Sequence, residues 1–300
     1  MSLWAEYHTP TTVDGALEIL LHADGVARLI AGGTDLLLDM QQGREAPAHT
    51  LVDVTQIEEM KRISIEADSI FVGGAVTHAE IVRSPVLQAN AACLVQASGL
   101  IGGPQVRTVA TLGGNVAHGL PAGDGSIALL ALEAEVGITA TGGRRWVPVE
   151  SFFRGPGAVI LDREREILVG FRVPVAGKQE ASAFQRVMRP QGVAIAIQNM
   201  AVWVRWGPGG VIDDIRLAVG AAGPRPIRAR RAEAMLSGRT WDAQVGREAS
   251  EALLQEASLR TSPHRATAEY RRMLVGVLLQ RVIEAALAAA PGPALVVSNG

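Results

Sequence analysis

Apolar positions along this chain follow two rhythms, one of helices and one of short buried strands. Val13, Ala16, Leu17, Leu20 and Leu21 recur at helical spacing behind a Thr12 suited to cap them. Val26–Ile30 and Leu51–Val54 are compact apolar runs of strand length, and between them Leu36, Leu37, Leu38 and Met40 suit a helical turn ending near Gly43. Residues 1–55 therefore predict a small β–α–β unit with a glycine loop at its strand-to-helix junction. Ile63–Ile65 and Ile70–Gly73 predict a hairpin. Thr77-His78-Ala79-Glu80 has capping-box spacing and opens a helix that stops before Pro85. Val86–Ser98 reads as one helix, and Leu100–Gly123 as a glycine-rich stretch whose only formal charge is Arg107. A long irregular stretch of that kind inside a compact domain is usually functional. Asp124 is placed to begin a helix over Ser126–Ala134, and strands at Val136–Ala140, Trp146–Val149 and Leu168–Val173 complete an α+β domain.

The pattern changes after the polar, Pro- and Gly-bearing segment Pro174–Glu180, the best linker in the chain. Ala183–Val187, Val193–Trp206 and Val211–Ala221 predict a three-stranded antiparallel meander. Helices follow at Pro226–Ser237, Ala243–Ser258 and Thr267–Ala290, the last with an apolar face through Tyr270, Met273, Leu274, Val277, Leu278 and Val282. The division expected is 1–176, with subdomains of about 1–57 and 58–176, and 177–300. The uncharged tail Pro291–Gly300 reads first as disordered and second as a segment that docks on a partner.

Composition removes several function classes. The 300 residues are 48% hydrophobic and 19% charged, with a formal net charge of −2, which suits a globular chain and argues against nucleic acid as the main partner. Arg225, Arg228, Arg230 and Arg231 form the one dense basic run, read first as a solvated helix start and second as a docking patch. Cys93 is the single cysteine, so the chain holds no internal disulfide and cannot ligate an iron–sulfur cluster by itself. It lies in an apolar run and reads as an inert core thiol. The six histidines lack metal-ligand spacing, and no metal site is expected. Gln88, Asn90, Gln96, Gly102, Gly103 and Pro104 interrupt the uncharged segment Leu87–Val106, which rules against a membrane span. No secretory signal is readable in Met1–Tyr7, and a cytoplasmic protein is expected.

Two glycine pairs carry the candidate chemistry: Ala31-Gly32-Gly33-Thr34-Asp35 and Thr111-Leu112-Gly113-Gly114-Asn115. Each follows an apolar stretch, leads into a segment that can be helical, and sets a hydroxyl residue beside glycines that let a backbone approach a ligand. Either alone is explained by a turn. Two together, in a chain with so few lysines, suggest a pyrophosphate held by backbone N–H groups rather than by cationic side chains. Neither fits the P-loop pattern, and neither gives the dinucleotide fingerprint with its following acidic residue.

Over residues 5–287 the chain resembles the FAD-binding subunits of the xanthine dehydrogenase and carbon monoxide dehydrogenase family of molybdenum hydroxylases. The resemblance rests on Leu29-Ile30-Ala31-Gly32-Gly33-Thr34-Asp35-Leu36, on Gln105–Ala117 continuing through Pro121 to Asp124, and on Asp213–Ala221, Arg225–Arg228 and Tyr270-Arg271-Arg272. It implies FAD as cofactor and an FAD-binding domain of the p-cresol methylhydroxylase type, made of two α+β subdomains. A C-terminal domain with a three-stranded antiparallel sheet and three helices would follow. It further implies that Leu29–Leu36 wraps the pyrophosphate with its amides and that Thr111–Asn115 closes on it from the other side. The Thr34 and Thr111 hydroxyls would add hydrogen bonds, Asp124 would contact the FAD, and Leu168 would pack near it.

The partners implied are a large subunit carrying the molybdenum cofactor and a small subunit with two 2Fe–2S clusters, in a heterotrimer doubled into a dimer of trimers. Electrons would arrive singly at this chain's FAD, with no side chain here acting as acid or base; His118 reads as a loop residue facing the flavin edge or a partner. Three positions depart from the family pattern. Ile101 stands where xanthine oxidoreductases carry an aromatic residue beside the flavin, Gln185 where they have a lysine, and Gly192-Val193 where an acidic residue is usual. An autonomous flavin oxidase of the same superfamily and a cofactor-free assembly module are the other classes compatible with the residues.

Overall fold

The computed structural model describes residues 2–189, 195–263 and 265–289. Its first unit runs β1 (Glu6–His8), α1 (Val13–His22), β2 (Ala27–Ile30), α2 (Leu36–Gln41) and β3 (Thr50–Asp53), with the strands parallel and β3 central. The Thr12 hydroxyl accepts the Gly15 amide at 3.1 Å and so caps α1, whose Val13, Ala16, Leu17 and Leu20 are buried. The predicted β–α–β unit is present, and its glycine loop leaves the carboxyl end of β2, where open α/β sheets bind ligands. β1 is additional. It is a polar edge strand with Glu6 and Tyr7 exposed, and no apolar run announces it.

The second unit begins with α3 (Glu58–Lys61), β4 (Ile63–Glu66), β5 (Ser69–Gly73) and α4 (His78–Arg83). Thr77 and Glu80 form the expected capping box of α4. The single helix expected over 86–98 is two, α5 (Pro85–Asn90) and α6 (Ala92–Leu100), because Ala91 (φ −141°, ψ 52°) breaks the spiral. The stretch 100–123 is also more ordered than expected: α7 (Pro104–Arg107) and α8 (Leu112–Ala117) lie in it. The unit continues with α9 (Asp124–Ala131), β6 (Glu135–Ala140), β7 (Gly143–Pro148), α10 (Val149–Phe152), a small hairpin of β8 (Phe153–Gly155) and β9 (Ala158–Val159), and β10 (Ile167–Pro174). An antiparallel sheet of order β4-β5-β10-β6-β7 results.

The C-terminal sheet has four strands where three were expected. β11 (Glu180–Val187), β12 (Gln198–Trp206) and β13 (Ile212–Gly220) form the meander, and the two-residue β14 (Ile227–Arg228) pairs with β13. Two residues carry too little pattern to read as a strand. Helices α11 (Arg230–Leu236), α12 (Ala243–Glu256) and α13 (Ala268–Ala289) pack on one face of this sheet. Its other face, through Phe184, Ala201, Trp203 and Ala218, shares one core with α6 and α9. Tight cross-links reinforce that seam: the Cys93 amide donates to Ser182 Oγ at 3.2 Å, and the Phe184 amide to Gln96 Oε1 at 2.7 Å.

Two predicted surfaces change. The buried face of α13 runs through Arg271, Leu274, Val275, Leu278, Leu279, Val282 and Ile283, while Tyr270, Met273 and Val277 are 42%, 71% and 41% exposed. The helix carries two adjacent apolar stripes, and the wrong one includes Met273. Of the basic run, Arg225, Arg230 and Arg231 are exposed and the last two open α11 as a solvated helix start, whereas Arg228 is not solvated. Arg228 is buried, its Nε donating to Glu233 Oε1 at 2.6 Å and one terminal nitrogen to Glu133 Oε1 at 3.0 Å, and Arg230 pairs with Glu150. Gly192-Val193 and the tail 291–300 lie outside the described residues.

Candidate functional site

The loop after β2 makes the chain turn within three residues. Gly33 adopts φ 66°, a left-handed conformation that favours glycine. Gly32 has a different reason to be glycine: a Cβ there would lie 1.9 Å from the Val109 carbonyl oxygen. The first glycine loop therefore touches Val109 and Ala110, the two residues just before the second, backbone against backbone. Among the described residues, none of the amides of Gly32, Gly33, Thr34 and Asp35 donates to a protein acceptor. A row of unpaired N–H groups at the end of a parallel strand is a ready anion site.

The second segment behaves otherwise. Thr111 caps α8, its Oγ1 accepting the Gly114 amide at 3.1 Å. The Leu112 amide donates to Val76 O at 3.0 Å, Gly113 to Gly74 O at 2.9 Å, and Asn115 to Thr111 O at 3.0 Å. Four of the segment's five amides are thus engaged, and only that of Thr111 has no acceptor among the described residues. Gly113 is required because a Cβ would sit 2.4 Å from Gly74 O. Leu112 is fully buried with its side chain in the core, away from the ligand space. The segment instead offers side chains, the hydroxyl of Thr111 and Asn115, whose buried Oδ1 has no partner.

These two segments border one cavity of about 690 Å³, within the range of ligand sites. Leu29, Ile30, Ala31, Gly32, Gly33, Thr34, Asp35 and Leu36 line it, as do Ile101, Thr111, Gly113, Gly114, Asn115, Asp124 and Leu168. Every cofactor-binding candidate from the sequence except Leu112 is therefore on its wall. His118, the C-cap of α8, also faces it.

Sequence reasoning missed the cationic part of the wall. Arg28, Arg163, Arg186, Arg260, Arg265 and Arg271 all border the cavity, so main-chain amides are not its sole source of positive potential. Arg186 and Asp124 form a buried ion pair, and Asn199 Nδ2 donates to Asp124 Oδ1 at 2.5 Å and to Ala122 O at 3.1 Å. Burial pushes the Asp124 carboxyl up, opposed by the Arg186 charge and the Asn199 hydrogen bond. Gln185, marked as the family's lysine position, is not on the cavity wall; Arg186, one strand position later, puts a cation there. The sequence offers little signal for it, since β11 also carries Glu180, Ser182 and Gln185.

His78 is the other unanticipated wall residue. It is buried, 3.3 Å from Ser98 Oγ, and desolvation followed by the nearby Arg107 lowers its pKa to about 4. Its imidazole is therefore neutral at physiological pH. Cys93 lies in the core, its thiol pushed up to about 12 by burial, which suits the inert reading. Among the described residues no group of three or more His, Cys, Asp or Glu is placed to hold a metal, and no helix is long and apolar enough to cross a membrane. The wall thus combines free amides, guanidinium groups, hydroxyls and apolar surfaces at Ile101 and Leu168. Those features fit an anionic ligand that also presents apolar surface.

Comparison with known proteins meets this geometry from another side. Residues 3–176 match the family described as the FAD binding domain in molybdopterin dehydrogenase, and residues 182–286 the CO dehydrogenase flavoprotein C-terminal domain. The xanthine dehydrogenase FAD-binding subunit of Escherichia coli O157:H7 is 34% identical over 96% of this chain and 98% of its own length. The carbon monoxide dehydrogenase medium chain of Hydrogenophaga pseudoflava is 31% identical over 94% and 97%. A solved structure of carbon monoxide dehydrogenase from that organism superposes with a TM-score of 0.88, covering 95% of this chain and 98% of the matched chain at 31% identity.

Proposed function

The chain belongs to the family of FAD-binding domains of molybdopterin dehydrogenases, and from that premise we propose that it is the FAD-carrying electron-transfer subunit of a heteromeric molybdenum hydroxylase. One observation carries the reading: four adjacent unpaired amides, Gly32 to Asp35, open into a cavity with guanidinium groups on its wall. A diphosphate satisfies both at once.

In this reading the Leu29–Leu36 segment holds the diphosphate with the amides of Gly32, Gly33, Thr34 and Asp35. The Thr34 and Thr111 hydroxyls and Asn115 add hydrogen bonds, Asp124 contacts the cofactor while anchored by Arg186, and Ile101 and Leu168 supply apolar walls. Bound FAD supplies the exchange between single electrons and an electron pair. The protein's own part is to bind, orient and shield, and it uses no general acid or base.

Substrate oxidation belongs to a large subunit with the molybdenum cofactor, and the relay to a small subunit with 2Fe–2S clusters, in a heterotrimer that pairs with a second. The lone thiol supports this division, since Cys93 is buried and one cysteine cannot hold a cluster. The proposed compartment is the cytoplasm, where such a thiol stays reduced. The proposed domains are 1–176, divided near 57, and 177–300.

Purification of the full chain with FAD tests the reading by absorbance and stoichiometry. One FAD per chain is expected, with no bleaching by purines, aldehydes, alcohols or phenols until the two partner subunits are added. A chain that takes up no flavin, or whose flavin bleaches with substrate alone, refutes it.

A further inference from the structure

Among the described residues, the arginines on the cavity wall fall into two groups. Arg28 pairs with Glu45 at 3.1 Å, and Arg186 pairs with Asp124. Arg163, Arg260, Arg265 and Arg271 have no carboxylate within 4.0 Å; Arg163 is exposed and donates to Ala117 O at 3.2 Å. The other three come from the C-terminal segment, opposite the free amides in origin, and face the same cavity.

Arg271 is the most constrained of them. It is 3% exposed; one terminal nitrogen donates to Ala221 O at 3.2 Å, and its buried Nε has no acceptor. Ala221 itself sits at φ 56°, a conformation unfavourable for a residue with a Cβ, and its amide donates to Pro121 O at 3.0 Å. Strain of this kind gathers at ligand sites. Burial and the neighbouring Arg265 and Arg260 charges press the Arg271 pKa down, and burial with Arg260 does the same to Arg265. The three charges thus repel one another with nothing among the described residues to offset them. Arg271 is the buried member of the cluster, Arg265 is half-buried and Arg260 exposed, and a buried cation without a counter-charge is costly unless a ligand supplies one.

We propose that Arg260, Arg265 and Arg271 form a phosphate-binding subsite of the cavity, separate from the amide row at 32–35, that takes the phosphate or diphosphate of a nucleotide. Guanidinium groups match phosphate oxygens in a planar, two-bond geometry, and three of them suit a group bearing at least two charges. Two sources carry that chemistry: the FAD of the proposed function, or a second nucleotide entering the cavity beside it. The subsite rests on that FAD reading only for the first source.

The test uses the full chain, with and without FAD, and inorganic pyrophosphate as the probe in calorimetric titration. The two less buried arginines are changed as R260Q/R265Q, with R83Q/R247Q as a control of equal charge change away from the cavity, and Arg271→Lys as a third variant that keeps charge and loses the fork. If a second nucleotide is the occupant, FAD-loaded wild type binds pyrophosphate, R260Q/R265Q weakens it at least tenfold, and FAD affinity is unchanged. If FAD is the occupant, the loaded wild type ignores pyrophosphate and R260Q/R265Q weakens FAD itself at least tenfold. In either case R83Q/R247Q resembles the wild type. Equal FAD and pyrophosphate binding by wild type and R260Q/R265Q overturns the subsite. A wild type that takes up no flavin refutes the cofactor reading instead, and the pyrophosphate titration of that flavin-free chain still decides the subsite.

Discussion

Replacing Gly32 by alanine isolates the contact between the first glycine loop and Val109-Ala110, just before the second. The added Cβ would lie 1.9 Å from the Val109 carbonyl oxygen, 2.5 Å from its carbon and 2.9 Å from the Ala110 nitrogen. Real Cβ atoms are not found inside 3.0 Å, so the segments must part by about 1 Å. Val109 cannot retreat easily. Its amide and that of Ala110 both donate to Val106 O, and Ala110 O accepts the His78 amide at 3.0 Å. Overpacking against a fixed backbone costs about 1–3 kcal/mol. If that cost falls on the bound state, FAD affinity drops by roughly 5- to 150-fold. The assay is a fluorescence titration of flavin-free chain with FAD, run beside thermal unfolding. Gly43→Ala is the control, since Gly43 has φ 70° but open space around its missing Cβ. It tests backbone strain without the clash, and FAD affinity near the wild-type value is expected. A Gly32→Ala chain with FAD affinity within twofold of wild type and an unchanged melting temperature refutes the proposed contact.

The His78 imidazole gives a pH signature. Its pKa is about 4 in the folded chain against 6.5 for the free side chain, so the unfolded state binds more protons between those values and stability falls as pH drops through that window. The gap corresponds to roughly 3 kcal/mol, and His78→Gln should flatten that part of the urea-denaturation profile; an identical slope in the variant sinks the assignment. The buried pair at β14 gives a second test, because Glu233 accepts both Arg228 and the Leu217 amide at 2.7 Å. Glu233→Ala leaves buried Arg228 with only the half-exposed Glu133 and should cost about 1–3 kcal/mol in chemical denaturation, with Glu233→Ala/Arg228→Met recovering part of it. A loss below about 1 kcal/mol contradicts that pairing.

Where local pattern and tertiary role agree, the chain could be read from its residues. Thr12, Thr77 and Glu80 cap the helices their spacing announces, and the glycine loop falls at the end of β2 as expected. Elements failed where tertiary pairing rather than periodicity made them. β1 is polar and β14 is two residues long, and both exist only because a neighbouring strand completes them. The site divided in the same way. Gly113 is a glycine for the sake of Gly74, so its motif looked like a ligand loop although its amide is already taken. Arg186 and Arg271 reach the cavity from elements late in the chain, and their place depends on which side of a strand or helix turns inward. The apolar stripe of α13 was read one position off, which is enough to hide Arg271 on the buried side.

The sheet of β11 to β13 is greasy on both sides, one against α11–α13 and the other against α6 and α9. The connector after β10 looks like a hinge between cassettes, yet scission there would tear a continuous interior and bare Phe184 and Trp203 on one half, Leu94 and Ile127 on the other. Exchange of the last 120 or so residues between relatives should succeed only when α6 and α9 travel with them, so inheritance of this architecture proceeds by the whole chain.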